Sequence, residues 1–277
     1  MLSSIEEGNP HRITILGIPI SVVNLPRATT LVSGWAKHPG ARTVFVREVA
    51  SLMAAVDEPI LAKLHHEADL IVPDGTPLVW VARILRQGRQ IGRVAGADLL
   101  DAVCERSLLT GQSHYFYGGK PGVAESMASR LSARYPGLKI AGTFSPPMRS
   151  IDATFELDDD LFREIDAIKA SNADFVWVGI SSPKQEYWMM KVAPLLEHGV
   201  LFGVGAAFDF QSGAVKRAPK WMRDNGMEWA HRLASEPRRL WRRYLVLAPR
   251  FVLAVARDFM LRSDGTSRRH AGGETPL

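Results

Sequence analysis

At 277 residues, with 46% hydrophobic and 23% charged side chains, the chain can bury a full-sized core and is too apolar for a disordered polymer. Its single cysteine, Cys104, excludes an internal disulfide and reads as a small buried hydrophobe. The net charge of +5 is uneven: residues 214–262 hold 12 Lys/Arg against 4 acids, so a basic C-terminal piece faces an anionic partner from a mildly acidic body.

Residues 1–11 form a polar leader without the basic start and apolar run of a secretory signal, so the chain is expected to stay in the cytoplasm. Residues 12–23, RITILGIPISVV, read as a buried strand and a turn, and 27–37 then have helical spacing. Further strands are expected at 43–46, 70–72, 113–117, 139–143, 175–178 and 200–204. Helices are expected between them, to about Ala55 and over 78–85, 123–135 and 184–195. This alternation predicts an α/β fold, a parallel sheet with helices on both faces, over residues 12–212. From Gly213 the strand signal stops, and 213–262 are expected to form a basic helical appendage, followed by a disordered polar tail at 263–277. No stretch offers the ~20 uninterrupted apolar residues of a membrane span, because Pro249 and Arg250 break 244–261.

In such sheets, ligands bind beyond the carboxyl ends of the strands. Asp74, in the PDG turn after the third of these strands, either projects a carboxylate there or caps the following helix. GGKPG at 118–122 either brings Gly118 and Gly119 close to a phosphate or makes a plain turn. GISSPKQE at 179–186 offers Gly179 and Gln185 to a sugar or nucleotide, or is an ordinary helix start. GVGAAFD at 203–209 offers Gly205 and Asp209 to a base or ribose, or is a buried strand end. The acids at 158–160 read as a solvated helix start, and no metal or other cofactor is expected. In the appendage, Leu233, Leu240, Tyr244 and Leu247 share one helical side, with Arg232, Arg239, Arg242 and Arg243 largely elsewhere. That element can lie in a membrane interface and clamp a diphosphate, or be a solvated basic face. A nucleic-acid partner is not expected, since no recognition motif accompanies the charge.

The ordered series PDGTPLVW, RVAGADLL, FYGGKPGVAE, GTFSPP, VGISSPKQEYW, GVGAAFDFQSG, RAPKW and GMEWAHRLASEPRRLWRRY resembles glycosyltransferase family 26, the WecG/TagA/CpsF family, over about residues 13–251. The resemblance implies a glycosyltransferase peripheral on the inner face of the cell membrane, of the exopolysaccharide branch. It implies transfer from a UDP-sugar, with inversion, to an undecaprenyl-diphosphate-linked saccharide. Asp74 becomes the base, Gly75, Gly118, Gly119, Gly179, Gln185, Gly205 and Asp209 the donor site, and Arg232, Arg238, Arg239, Arg242 and Arg243 the acceptor-diphosphate and membrane contacts. One departure stands out. Where many members carry Thr-x-Asn ahead of the PDG turn, this chain has Val46, Arg47 and Glu48. That leaves the donor sugar open and makes an inactive membrane-recruited scaffold an alternative. A nucleotide-dependent oxidoreductase is disfavoured, because no GxGxxG follows an early strand. Self-association through the apolar side of the appendage is a further expectation.

Overall fold

The computed structural model describes residues 9–85, 90–205, 207–213 and 215–270, with side chains described throughout except at Asp209, Asp224 and from 262 onward. The first strand region is a hairpin, not one strand: β1 (Arg12–Ile15) and β2 (Ile18–Ser21) pair antiparallel. Leu16 and Gly17 between them both have positive φ, 50° and 83°, the backbone of a two-residue turn whose twist suits paired strands. Helix α1 (Leu25–Trp35) starts where the Asn24 side chain accepts the Arg27 N–H and a proline opens the first turn.

The elements that follow are β3 (Arg42–Arg47), α2 (Val49–Asp57), α3 (Pro59–Glu67), β4 (Leu70–Pro73), α4 (Thr76–Ile84), α5 (Gly96–Thr110) and β5 (Ser113–Gly118). Then come α6 (Val123–Arg134), β6 (Lys139–Phe144), α7 (Asp159–Ser171), β7 (Phe175–Gly179), α8 (Lys184–Val192) and β8 (Val200–Gly203). Six strands form one parallel sheet in the order β4-β3-β8-β7-β5-β6. Two apolar clusters cover its faces: one holds Phe45, Ile71, Val178 and Trp188, the other Val44, Phe116, Trp177 and Phe202. Neighbouring residues of a strand therefore belong to opposite layers, which is why the inner strands read as continuous apolar runs. The fold is α/β with helices on both faces, as the alternation predicted. The hairpin lies outside this sheet, against β4, with Ser21 Oγ accepting the Ile71 N–H at 3.1 Å.

The acids at 158–160 start α7: the Asp158 side chain accepts the Leu161 N–H, and Asp160 pairs with Arg163. Beyond the sheet lie α9 (Ala207–Gln211), α10 (Lys220–Asp224), α11 (Glu228–Ser235) and α12 (Pro237–Trp241). A π-helical turn (Arg242–Leu247) leads into α13 (Ala248–His270). The appendage is thus a broken series, not one amphipathic helix. Pro237 ends α11 because the residue before a proline is pushed out of helical geometry, and Glu236 has φ −133°. Leu240 and Phe251 are buried, and Phe251 joins the core cluster that also holds Met53 and Leu52. Among the described residues no helix is long and apolar enough to cross a membrane.

Candidate active site

A cavity of about 640 Å³ opens at the carboxyl ends of β3, β4, β7 and β8, within the size range of small-molecule sites. Its floor is the core and its roof the appendage. Val46 and Glu48 lie at the end of β3, Asp74 to Pro77 follow β4, Ser181 to Pro183 and Gln185 follow β7, and Gly203 to Gly205 lie at the end of β8. Arg217, Glu228, Trp229, Arg232, Arg239, Arg243 and Tyr244 come from the appendage.

Asp74 does not cap α4: Gly75 holds that position, and no side chain bonds the free amides there. The PDG turn is fixed instead through its backbone, with the Asp74 N–H donating to the Arg47 carbonyl at 2.7 Å. The carboxylate is left to the cavity, 31% exposed, with Arg93 Nη2 at 3.5 Å from Oδ1. Burial pushes its pKa above the ordinary carboxylate range. Arg93 and Arg243 pull it down, while Glu228 and Glu48 push the same way as burial.

Glu48 sits at the N-terminus of α2, where its side chain accepts the Ala50 and Ser51 N–H groups, both at 2.9 Å, and pairs with Arg243 at 2.7 Å. An Asn could make such a cap; the carboxylate adds a charge that meets the appendage. Burial works against the Arg243 charge, but Glu48, Tyr244 and Asp74 together outweigh it, so its pKa is raised. Arg47 is wholly buried beneath the site, ion-paired with Glu186, and its Nη1 donates to Ser182 Oγ at 3.3 Å. Glu186 is the acid in the first turn of α8 and is fully buried. Removing either partner would strand a buried charge.

Gln185, 3% exposed, donates from Nε2 to Glu186 at 2.9 Å, while its Oε1 has no partner among the described residues and faces the Gly205 turn. Gly203 makes room for it, since a Cβ there would stand 2.9 Å from Gln185 Nε2. Ser181 keeps a φ of +74°, costly for a residue with a side chain, at the cavity wall.

Of the residues singled out from sequence, Asp74, Gly75, Gln185, Gly205, Arg232, Arg239 and Arg243 line this one cavity. Gly118, Gly119 and Gly179 are not among its lining residues: Gly118 ends β5 and Gly119 follows it, one strand further from β8 than β7, and Gly179, the last residue of β7, is packed against Phe208. Their lack of side chains serves packing: a Cβ on Gly118 would meet the Gly179 backbone at 2.6 Å, and one on Gly179 would meet the Phe208 ring at 2.4 Å. Gly179→Ala is accordingly expected to destabilise the fold by about 1–3 kcal/mol, read as a lower urea midpoint with unchanged slope. A midpoint equal to wild type would show that the helix carrying Phe208 gives way freely. Arg238 and Arg242 also lie outside the cavity, both exposed, with Arg242 over the Trp241 ring. The side chain of Asp209 lies outside the described residues.

Arg93, Arg217 and Glu228 went unassigned in the sequence, although each stands within a quoted motif, RVAGADLL, RAPKW and GMEW. Arg93 Nη2 bonds Glu228 Oε2 at 2.5 Å, Arg217 Nε bonds Glu228 Oε1 at 3.2 Å, and Arg217 Nη1 bonds Asp98 at 2.6 Å. Among the described residues the charges lining the cavity are five arginines and three carboxylates, a balance that suits an anionic ligand.

The profile described as "Glycosyl transferase WecG/TagA/CpsF family" matches residues 13–265. Among curated proteins the chain is similar to N-acetylglucosaminyldiphosphoundecaprenol N-acetyl-beta-D-mannosaminyltransferase of Bacillus spizizenii (strain ATCC 23059 / NRRL B-14472 / W23). The two are 32% identical over 201 residues, which cover 73% of each chain.

Proposed function

This chain belongs to the WecG/TagA/CpsF glycosyltransferase family, and from that we propose that it moves a sugar from a UDP-sugar, with inversion, onto an undecaprenyl-diphosphate-linked saccharide in surface or exopolysaccharide synthesis. The observation that carries this reading is the surplus of arginine around a cavity whose wall presents the Asp74 carboxylate. Asp74 takes the proton of the acceptor hydroxyl as that oxygen attacks the anomeric carbon from the face opposite the leaving group. The bond from that carbon to the diphosphate oxygen breaks, and the nucleoside diphosphate departs with the electron pair. Arginine side chains and the turns at Gly75 and Gly205 are the groups placed to take up that negative charge. Gln185, whose Oε1 has no partner among the described residues, is assigned to a hydroxyl or N–H of the donor.

In this reading residues 12–212 are the catalytic core and 213–262 the appendage that roofs the site and meets the inner face of the cell membrane. On α13, Phe251 faces the core while Val252, Leu253, Phe259 and Leu261 are exposed, the split expected of a helix lying on a lipid surface. The relative's name specifies an N-acetylmannosaminyl donor group and an N-acetylglucosaminyl-diphosphoundecaprenol acceptor, and both head the substrates to try. The test is UDP release from the UDP forms of N-acetylmannosamine, glucose, mannose and a uronic acid, each with and without that acceptor. Release that depends on acceptor for one donor is expected; none with any donor, despite UDP binding, would overturn the UDP reading.

A further inference from the structure

We infer that Glu228, carried by the appendage, is a positioning residue for Asp74: it holds the Arg93 guanidinium toward α11 and prevents it from closing a tight ion pair with the Asp74 carboxylate. The inference rests on the proposed reading of Asp74 as the base. Arg93 is held at each end of its guanidinium, with Nη1 also donating to the Arg223 carbonyl at 3.4 Å. Its Nε donates to the Asp74 backbone carbonyl at 2.7 Å, so the guanidinium stays beside this turn whatever its other end does. Its Nη2 is divided between two carboxylates, Glu228 at 2.5 Å and Asp74 at 3.5 Å. The appendage partner has the contact a charge-assisted hydrogen bond requires, and the candidate base does not.

Glu228 cannot follow Arg93 toward Asp74. Its second oxygen is held by Arg217, which Asp98 on α5 holds in turn, with Arg223 3.5 Å from the same Asp98 oxygen. At 12% side-chain exposure, a Glu228 that lost its partners would be a nearly buried bare charge, so Arg93 is kept where it is. Four charged groups act on Asp74 from the elements around it: Arg93 from the segment before α5, Glu228 from α11, Glu48 from the start of α2, and Arg243 from the π-helical turn. Both cations are claimed by a different carboxylate, Arg93 by Glu228 and Arg243 by Glu48 at 2.7 Å. Among the described residues Asp74 has no cation closer than 3.5 Å, so Arg93 and Arg243 lower its proton affinity without closing a tight pair with it. Glu228 acts in the opposite direction through its own charge, which raises the Asp74 pKa. Because Glu228 arrives only with α11, a base of full strength exists only while the appendage is docked.

The test uses the full chain, labelled with carboxyl-13C aspartate, the Asp74 resonance being assigned by its loss in Asp74→Asn. In Glu228→Gln the Asp74 titration midpoint is expected to fall by roughly one pH unit, as Arg93 closes on it. The acid limb of kcat in the UDP-release assay should move with it, while the donor KM changes less than twofold. Glu228→Asp, which keeps the charge, should restore most of the shift, and adding Arg93→Gln to Glu228→Gln should carry the midpoint back up. Asp57→Asn is the control: it cuts the exposed Arg250 pair that also joins appendage to core, and should leave the midpoint in place. A midpoint that stays or rises in Glu228→Gln overturns the inference, as does an equal fall in the control. The base reading fails separately, if Asp74→Asn still turns over, whatever the titration shows.

Discussion

Asp74→Asn is expected to reduce acceptor-dependent UDP release by at least ~10²-fold while leaving UDP affinity within about twofold of wild type. The substitution keeps the shape of the side chain, and the Arg93 Nε bond is made to the backbone carbonyl, so the turn survives. What disappears is the capacity to accept a proton, the function we assign to this carboxylate. The pH profile makes the same point with a defined sign. Burial raises the Asp74 pKa, so the wild-type rate should fall as the pH drops through a value above the usual carboxylate range, and rise to a plateau beyond it. Single-turnover assays with saturating donor separate this from binding, and isothermal titration with UDP checks affinity. Unchanged turnover in the variant would remove Asp74 from the role.

The triple substitution Val252→Glu, Leu253→Glu and Phe259→Ser should abolish co-sedimentation with vesicles rich in anionic lipid and cut transfer to a full-length lipid acceptor more than ~100-fold. Each of these apolar groups stands exposed on α13, and burying one in the acyl boundary is worth about 1.5–3 kcal/mol, so losing three outweighs the attraction of the basic charges. None of the three lines the cavity. Turnover with a short, water-soluble acceptor diphosphate should therefore persist, which distinguishes lost membrane contact from a damaged site. Continued sedimentation of the variant would move the membrane contact to another surface. Loss of a dimer in equilibrium ultracentrifugation, with vesicle binding retained, would assign the face to self-association instead.

The α/β class and the strands from β3 onward were legible because strand and helix periodicity are local, and a sheet covered on both faces leaves continuous apolar runs in the sequence. The hairpin at 12–21 was not, because RITILGIPIS is apolar enough for one strand and only the paired positive φ angles of Leu16 and Gly17 reveal the reversal. Motif order marked Asp74, Gln185 and the appendage arginines, and the strand-end rule put the cavity on the correct edge of the sheet. It also promoted Gly118, Gly119 and Gly179, which look like phosphate-binding glycines in a string of letters. These three are not among the residues lining that cavity, and what they meet is backbone, Val123 and the Phe208 ring.

Residue types at neighbouring positions were thus readable from sequence alone, and so was the charge that divides appendage from body. Whether Asp74 caps a helix or faces a cavity depended on a backbone bond to Arg47, 27 residues earlier. The grouping of Arg93 with Glu228 and of Glu48 with Arg243 spans 135 and 195 positions of chain. No local pattern encodes such pairs, because a charge's partner is set by which elements the packed layers bring within a few ångströms. The chemistry available is written in the residue types; which charges come to neutralise one another follows from how the layers pack, and Asp74, 3.5 Å from Arg93, is the carboxylate we assign to accept a proton.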